Sequence, residues 1–316
     1  MIRYIGKRLL IAIPTLILIS IFVFTLQKLL PGDPALIMAG EQRDPAAIAY
    51  YRMRYHLLDP IPVQYFYWVS DMLHGDFGMS LRTKLPVLTL ILQKLPVTIQ
   101  LATMSMILSL LIGIPAGIIS AVKKGTWVDY LANVIALFGL SIPNFWLGIM
   151  MILLVSVKLG WLPASGYVSP FEDFWQSMRT MIMPSLVLGA MIASAFSRHT
   201  RSAMLSVLKA DYVRTARAKG LRAHTVVLKH AFRNALIPVV TVAALIFGEL
   251  LAGAVLTEQV FTIPGFGKLI VDAVFNRDYA VVQGVVLCTA VAFILMNLLA
   301  DLGYLALNPR LRETAS

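Results

Sequence analysis

Six long runs of apolar residues constrain what this chain can fold into. Of its 316 residues, 59% are hydrophobic and only 14% are charged, whereas a soluble domain carries about 25% charged residues. A helix needs about 20 apolar residues to cross the hydrocarbon core of a bilayer, and each run meets or approaches that length. The runs cover residues 9–27, 95–122, 130–157, 180–197, 234–257 and 279–300. The pattern predicts an all-α integral membrane protein with six transmembrane helices.

The first run follows three basic residues, a pattern that also begins secretory signal peptides. Its apolar core is longer than the roughly 7–15 residues of such a peptide, and no Ala-x-Ala site follows. We therefore expect a retained N-terminal transmembrane helix within residues 1–30. Prolines and turn signals then predict a small extracytoplasmic subdomain at 31–94. Residues 95–307 would form a five-helix core, and 308–316 a cytoplasmic tail.

The placement of lysine and arginine predicts the orientation of the chain. With a cytoplasmic N-terminus, the inside segments are 1–8, 123–129, 198–233 and 301–316, and they hold 16 of the 27 Lys and Arg residues. Cytoplasmic segments are enriched in these residues, so we expect both termini in the cytoplasm. The net charge of +11 then reflects topology, and no nucleic acid partner is expected because the basic residues border apolar runs.

The largest basic block is the segment 211–238, DYVRTARAKGLRAHTVVLKHAFRNALIP. Ala216 and Gly220 are four residues apart, which gives a helix a small-residue side, and Gly220 predicts a turn at the helix end. A second helical stretch follows, and Pro238 marks the start of the fifth span. The residues near one face of that stretch are Val226, Val227, His230, Ala231 and Asn234. Two short helices around a glycine turn would form a compact cytoplasmic knob suited to docking in a partner's groove.

Glu249 is the one acid well inside an apolar run. A charge there costs about 2.5–3.5 kcal/mol on insertion scales, so it usually faces the bundle interior or water. Ala252 and Gly253 share its helical face and indicate an interior seam. Glu249 could contact a cationic group on a substrate, form half of an ion pair or be protonated. Asn144, beside a kink expected at Pro143, is a similar candidate.

Two glycines, the single cysteine and two isolated histidines are interpreted as structural residues. Gly113 and Gly117 lie four residues apart, a spacing that lets two membrane helices approach closely. The single cysteine, Cys288, is interpreted as a packing residue. His56 and His74 have no supporting Cys or His cluster, so no metal site is predicted.

The sequence lacks the motifs of nucleotide-binding sites and of common catalytic sites. There is no Gly-x4-Gly-Lys-Ser/Thr phosphate loop, and the nearest string, GFGKL at 265–269, lacks the spacing and the hydroxyl. There is also no His-Glu-x2-His, no Gly-x-Ser-x-Gly and no cysteine pair. We therefore predict no enzymatic activity and no cofactor in this chain, so that a partner would supply the energy for any pumping.

Strings distributed over nearly the whole chain carry a family resemblance. They are LLPGDPA, GDFGMS, YVRTARAKGL, RNALIPVVT, LLAGAVLTEQVFTIPGFGKL, RDYAVVQG and NPRLR. Together they resemble permeases of bacterial binding-protein-dependent ABC importers of the dipeptide permease type. In that family's cytoplasmic loop, Glu-Ala-Ala precedes three residues and a glycine, but here Arg214-Thr215-Ala216 stands before Gly220. This departure, and the longer distance to Pro238, resemble the subfamily that imports dipeptides, oligopeptides, glutathione or nickel complexes.

The resemblance implies a fold, a location and a set of partners. The fold would be that of a type I ABC importer permease in the bacterial inner membrane, surrounded by lipid. The partners would be a second homologous permease, two ATPases that bind ATP and Mg²⁺, and an extracytoplasmic substrate-binding protein. Half of the translocation pathway would come from this chain, with Glu249 and Asn144 as candidate pathway residues.

The resemblance also implies two docking sites. The residues assigned to ATPase coupling are Thr215, Ala216, Ala218, Lys219, Gly220 and Leu221. The loop FTIPGFGK lies outside and would help to receive the binding protein. Its candidate docking residues are Pro264, Gly265, Phe266 and Gly267. The sequence does not distinguish a peptide substrate from glutathione or a nickel complex.

The residues alone leave two other classes of function open. A secondary carrier or channel would be driven by an ion gradient, but the sparse intramembrane acids and the basic knob count against it. A membrane scaffold would show no substrate-dependent ATP hydrolysis in any complex that contains this chain.

Overall fold

A computed structural model describes residues 2–29, 35, 36, 39 and 44–307 of the chain. Within this part of the chain the regular elements are helices, and β pairing is limited to an isolated bridge between Met79 and Pro86. The α-helices are α1 Ile2–Leu29, α2 Pro45–Arg54, α3 Ile61–Leu73, α4 Val87–Val122, α5 Trp127–Ser141, α6 Asn144–Met151, α7 Phe174–Val207, α8 Asp211–Ala218, α9 Ala223–Thr225, α10 Phe232–Gly253, α11 Val255–Val260, α12 Phe266–Phe275 and α13 Tyr279–Leu307. Two π-helical segments, Ile152–Lys158 and Val226–Ala231, follow α6 and α9.

Five helical stretches among the described residues are long and apolar enough to cross a membrane. They are Leu10–Lys28, Val87–Val122, Phe174–Val207, Ala223–Leu251 and Tyr279–Leu299. A bent pair of helices, Trp127–Ser141 and Asn144–Lys158, makes a sixth if it is counted as one span. The prediction of an all-α, six-span membrane protein is confirmed on this count.

The sixth candidate is not the straight helix that the run 130–157 predicts. The helix axes of its two parts differ by 98°. Ile142 and Pro143 both adopt extended backbone angles between α5 and α6. Proline has no N–H for an intrahelical bond and disfavours helical geometry in the residue before it, so the break falls at this dipeptide.

The long helix α7 is the centre of the core, with 16 buried residues among its 34. It packs against α5, α6 and α10, and it meets α4 where α4 carries its predicted small residues. A Cβ at Gly113 would overlap the carbonyl oxygen of Ala193, and a Cβ at Gly117 would lie 2.5 Å from the carbonyl oxygen of Ser197. Glycine is therefore required for this contact, as the four-residue spacing predicts.

The chain forms two compact units. The core unit contains Val97–Lys268, and the N-terminal unit contains Leu9–Pro96 together with Leu269–Val291. The predicted division differs, because it separates a first helix from a subdomain at 31–94 and assigns the whole of 95–307 to the core.

Two of the strings that carry the family resemblance meet inside the N-terminal unit. Asp278, from RDYAVVQG, is 3% exposed and accepts a 2.5 Å hydrogen bond from Ser80 Oγ of GDFGMS. A Cβ at Gly284 would lie 2.7 Å from Val87 Cγ1, so the glycine allows the start of α13 to pack on the start of α4. The Ser80–Asp278 hydrogen bond thus joins the two strings directly within this unit.

Helix starts in both units follow their sequence signals. Asp44 precedes Pro45 of α2 and accepts a 3.0 Å hydrogen bond from Ala46 N. Asp173 caps α7 by accepting a 2.9 Å hydrogen bond from Gln176 N. Short acidic side chains before a helix satisfy backbone donors that lack an intrahelical partner.

Candidate functional site

The predicted cytoplasmic knob contains a short helix, α8, followed by a glycine turn. We call residues 211–221 the coupling segment. Val213 and Ala216, three residues apart on α8, are 0% and 8% exposed, respectively. Residues at this spacing share one helical face, so α8 lies with that face against the rest of the chain.

The buried face of α8 rests on a small apolar cluster, which we call the coupling core. Its fully or nearly buried members are Ala121, Met204, Val213, Ala216, Val226, Ala231 and Ala235. These residues come from the ends of α4 and α7, from α8, from the π-helical segment Val226–Ala231 and from the start of α10. The cluster therefore joins the coupling segment to three long helices of the core unit.

Gly220 ends α8 in a Schellman motif. The N–H of Gly220 donates to the carbonyl oxygen of Arg217 at 3.0 Å, and the N–H of Leu221 donates to that of Ala216 at 3.4 Å. Gly220 has a φ of +76°, a conformation that glycine adopts without the steric cost of a side chain. A Cβ at this position would meet nothing within 4 Å, so the glycine serves backbone conformation and not close packing.

Five of the six residues assigned to coupling form an exposed surface opposite the coupling core. They are Thr215, Ala218, Lys219, Gly220 and Leu221. Ala216 is the exception, since it is buried in the coupling core. Its small side chain allows close approach to the chain's own helices, and Ala216 offers almost no exposed surface of its own to a partner.

The stretch after Gly220 differs in part from the predicted face. Val226 and Ala231 are buried, but Asn234 is exposed and donates a 2.9 Å hydrogen bond to the hydroxyl of Tyr212. The local helix is a π-helix, in which residues five apart align. Pro238 lies inside α10, which begins at Phe232, so the proline does not mark the start of the helix.

The short helix α11 carries a buried carboxylate that none of the sequence patterns above indicates. Glu258 is 0% exposed and accepts a 2.7 Å hydrogen bond from Thr98 Oγ1 and a 2.9 Å hydrogen bond from Lys268 N. Thr98 Oγ1 also accepts a 2.7 Å hydrogen bond from Phe266 N. Glu258 and Thr98 together satisfy backbone donors in the first turn of α12, as a helix N-terminus requires.

Burial raises the pKa of Glu258 above its usual value, while hydrogen bonds from Thr98, Lys268 and Gly267 act in the opposite direction. Gly265 makes room for this carboxylate, and Gly267 makes room for the backbone of α11. A Cβ at Gly265 would overlap the Glu258 carboxylate, and a Cβ at Gly267 would lie 2.6 Å from Val255 Cα. The string Glu-x6-Gly-x-Gly at the start of a helix is the signal from which this cap could have been predicted.

Comparison with known proteins decides the family. Residues 113–313 match the family described as "Binding-protein-dependent transport system inner membrane component". Residues 1–102 match the family's N-terminal membrane component. The chain belongs to this family.

Curated relatives resemble the permease along its whole length. It is 45% identical over 312 residues to the "Glutathione transport system permease protein GsiC" of Salmonella typhimurium, covering 99% of each chain. It is 42% identical over 332 residues to the "Dipeptide transport system permease protein DppB" of Alkalihalophilus pseudofirmus, covering 99% of this chain and 100% of the relative. The permease is thus a membrane subunit of a binding-protein-dependent ABC importer, as the sequence motifs predict.

A solved structure supports the fold independently. The permease resembles a chain in inward-facing conformations of the MetNI methionine ABC transporter, with a TM-score of 0.58 and 18% sequence identity. The similarity covers 69% of the permease and 96% of that chain. At this identity the comparison concerns the fold alone, and the predicted importer-permease fold is confirmed.

The residues predicted to receive the binding protein are mostly enclosed within the permease. Gly265, Phe266 and Gly267 are buried, and Pro264 is partly exposed. Their positions follow from the Glu258 cap, which places these residues against the permease's own backbone. The geometry gives Gly265, Phe266 and Gly267 a structural role, and leaves Pro264 as the candidate with accessible surface.

The two candidate pathway residues occupy different environments. Glu249 is exposed on α10 in the isolated permease, and Asn144 is partly exposed in the first turn of α6. Asn144 directly follows Pro143, at the 98° break between α5 and α6. Among the residues that the structure describes, the interior seam predicted for Glu249 is therefore not closed over its carboxylate.

Proposed function

We propose that this permease imports short peptides by coupling ATP hydrolysis in partner subunits to movement of its own helices. The relatives at 42–45% identity are named for dipeptide and glutathione transport, and glutathione is itself a short peptide. Di- and oligopeptides are the favoured substrates, with glutathione as the specific alternative. A nickel or other metal chelate is the remaining candidate within the subfamily that the motifs resemble.

The observation that carries the coupling role is the exposed face of the coupling segment. Val213 and Ala216 fix α8 to the coupling core, while Ala218, Lys219 and Leu221 point away from it. A short helix that is anchored on one side and exposed on the other suits docking in a groove of another protein. The groove would belong to a cytoplasmic ATPase, which would bind ATP and Mg²⁺, whereas this permease would have no enzymatic activity.

The same geometry supports a cytoplasmic location for this end of the core unit. Lys123 and Lys124 follow α4, and an ion pair between Asp129 and Arg201 joins that turn to the end of α7. The turn and the basic segment 198–233 therefore lie at one end of the core unit. Because basic residues concentrate on the cytoplasmic side of membranes, we infer that both termini are cytoplasmic.

The exposed sides of α6 and α10 support a two-permease pathway. Glu249 carries its carboxylate on the surface of α10, where a charge in lipid is costly unless water or another protein covers it. A second, homologous permease would cover this surface, so that Glu249 and Asn144 would line a pathway between the two subunits. An extracytoplasmic binding protein would deliver the substrate to it.

Reconstitution in liposomes tests the function and separates the substrate classes. The assembled importer, with its ATPases, second permease and binding protein, is supplied with ATP and with a labelled dipeptide, an oligopeptide, glutathione or a nickel chelate. ATP-dependent uptake of a peptide supports the proposal. Uptake of the nickel chelate alone would contradict the peptide assignment and favour a metal chelate as the substrate. Transport by this permease alone under an ion gradient would contradict it in favour of a secondary carrier.

A further inference from the structure

A polar cluster lies next to the coupling core, at the end of the core unit that we propose to be cytoplasmic. Arg201 on α7 and Asp129 on α5 form a forked ion pair, with Nε–Oδ1 and Nη2–Oδ2 distances of 2.9 Å each. Only 5% of the Asp129 side chain and 26% of the Arg201 side chain are exposed. A two-point fork fixes the orientation of both groups, which a single contact does not.

Neighbouring donors complete the hydrogen bonding of Asp129. Its carboxylate accepts from Ser120 Oγ at 2.5 Å, from Gly125 N at 3.0 Å and from Asn133 Nδ2 at 2.8 Å. Arg201 Nε also donates to Ser120 Oγ at 3.0 Å. The cluster thus joins the end of α4, the turn that follows it, the start of α5 and the end of α7 in one network.

This network shares its supporting helices with the coupling segment. Ser120 directly precedes Ala121, and Arg201 lies three residues before Met204. Ala121 and Met204 are both buried in the coupling core beneath α8. A displacement of α8 therefore acts on Ala121, the neighbour of Ser120 in this network, and on Met204, one helical turn after Arg201.

Helix α5, which carries Asp129, leads to the break between α5 and α6. α5 begins at Trp127, two residues before Asp129, and ends at Ser141, just before the extended Ile142 and Pro143. Along its length α5 lies close to α7, since a Cβ at Gly139 would overlap the hydroxyl of Ser194. The ion pair between Asp129 and Arg201 thus holds α5 to α7, so that α5 would move together with α7.

We propose that Asp129 and Arg201 are positioning residues that transmit movement of the coupling segment to α5 and so couple ATP hydrolysis to substrate passage. The inference rests on the proposed docking of an ATPase at the coupling segment. An ion pair that only stabilised the fold would affect assembly and melting temperature. An ion pair that transmits movement also sets how many ATP molecules are hydrolysed for each substrate imported.

The test measures that ratio in the assembled importer for Arg201→Gln and Asp129→Asn, each of which removes a charge from the forked pair. Arg198→Gln is the matched control, because Arg198 is an exposed arginine one turn earlier on α7. We expect the number of ATP molecules hydrolysed per substrate to rise several-fold in both test variants, because the ATPases would still turn over while α5 no longer follows α7. The control should keep the wild-type ratio.

Equal ratios in the test and control variants, with intact assembly, would overturn the inference while leaving the proposed function standing. A wild-type complex that shows no ATP-dependent uptake would instead contradict the proposed function. If the variants do not assemble, spin labels at the exposed positions Leu131 of α5 and Ser202 of α7 decide the question in the otherwise unchanged importer. A constant distance between the labels through the ATP cycle supports the inference, and a changing distance contradicts it.

Discussion

The coupling segment and the segment from Glu258 to Lys268 each contain a glycine from a string that carries the family resemblance, but the space around the two glycines differs. At Gly220 a Cβ would meet nothing within 4 Å, and the backbone has a φ of +76°. At Gly267 a Cβ would lie 2.6 Å from the backbone of Val255. Gly220 shapes an exposed turn, which we propose as part of a docking surface, and Gly267 makes room for packing inside the chain.

The comparison separates residues that act on a partner from residues that act on the fold. Changes in the segment 258–268 are expected to lower the stability of the fold, and transport would fall as a consequence. Changes at the coupling segment are expected to lower transport in a protein that is still folded. The measurements below test this separation in order of decreasing effect.

The largest effect is expected from Glu258→Ala. The substitution leaves the Thr98 hydroxyl and the N–H of Lys268 without their buried acceptor, and each unsatisfied buried group costs about 1–3 kcal/mol. We expect a strong loss of folded protein in detergent extracts, measured by size-exclusion chromatography and thermal melting. Glu258→Gln keeps an acceptor and serves as the control. An Ala variant as stable as the Gln variant would show that the cap is dispensable.

A smaller loss is expected from Gly267→Ala. The added methyl group overlaps the Val255 backbone, and overpacking of this kind typically costs about 1–3 kcal/mol. The melting temperature of the purified permease measures the cost. Gly160→Ala is a useful comparison, because a Cβ at Gly160 meets nothing within 4 Å and the substitution introduces only backbone strain at a φ of +64°. If the two variants melt alike, packing is not the reason for glycine at 267.

Gly220→Val is expected to impair transport more than stability. A β-branched residue in the left-handed region costs about 1–2 kcal/mol locally, which favours distortion of the exposed turn over loss of the buried core. Uptake in proteoliposomes and chromatographic assembly are measured together. Gly220→Asn is the control, since asparagine tolerates this conformation. Wild-type uptake by the Val variant would count against a docking role for the turn.

The smallest effect expected is a pH dependence of stability that originates at Glu258. Its folded-state pKa is raised, mainly by burial, so the folded protein holds this proton more tightly than the unfolded chain. The resulting stabilisation is complete below the ordinary glutamate pKa of about 4.3 and is lost as the pH rises through the raised value. The difference in melting temperature between wild type and Glu258→Gln should change over that range. A constant difference would indicate that the pKa is not raised.

Much of the fold could be predicted because membrane spans are encoded locally. Each apolar run meets or approaches the required length by itself, and the four-residue spacing of Gly113 and Gly117 indicates a close helix contact without naming its partner. The glycine turn at Gly220 is also local, since its hydrogen bonds stay within the coupling segment. The sequence therefore predicted the spans and the site's outline.

The remaining features depend on contacts between distant parts of the chain. Glu258 follows an apolar run, and its partner Thr98 is 160 residues away, so no periodicity reveals that the carboxylate is buried. The orientation of Ala216 likewise depends on Met204 and Val226, which face it across the coupling core. Small residues were predicted to favour close approach, but the sequence does not say whether the approaching surface belongs to the same chain.

Cysteine cross-linking between the permease and its ATPase tests the central claim most directly. Cys288 is the chain's single cysteine and is first replaced by alanine. Cysteines are then introduced at Ala218, which is exposed, and at Ala216, two residues earlier and buried. In the assembled importer, the cysteine introduced at 218 should cross-link to the ATPase and the one at 216 should not. Equal cross-linking at both positions, or none at 218 in a complex that transports substrate, would contradict docking through the exposed face of the coupling segment.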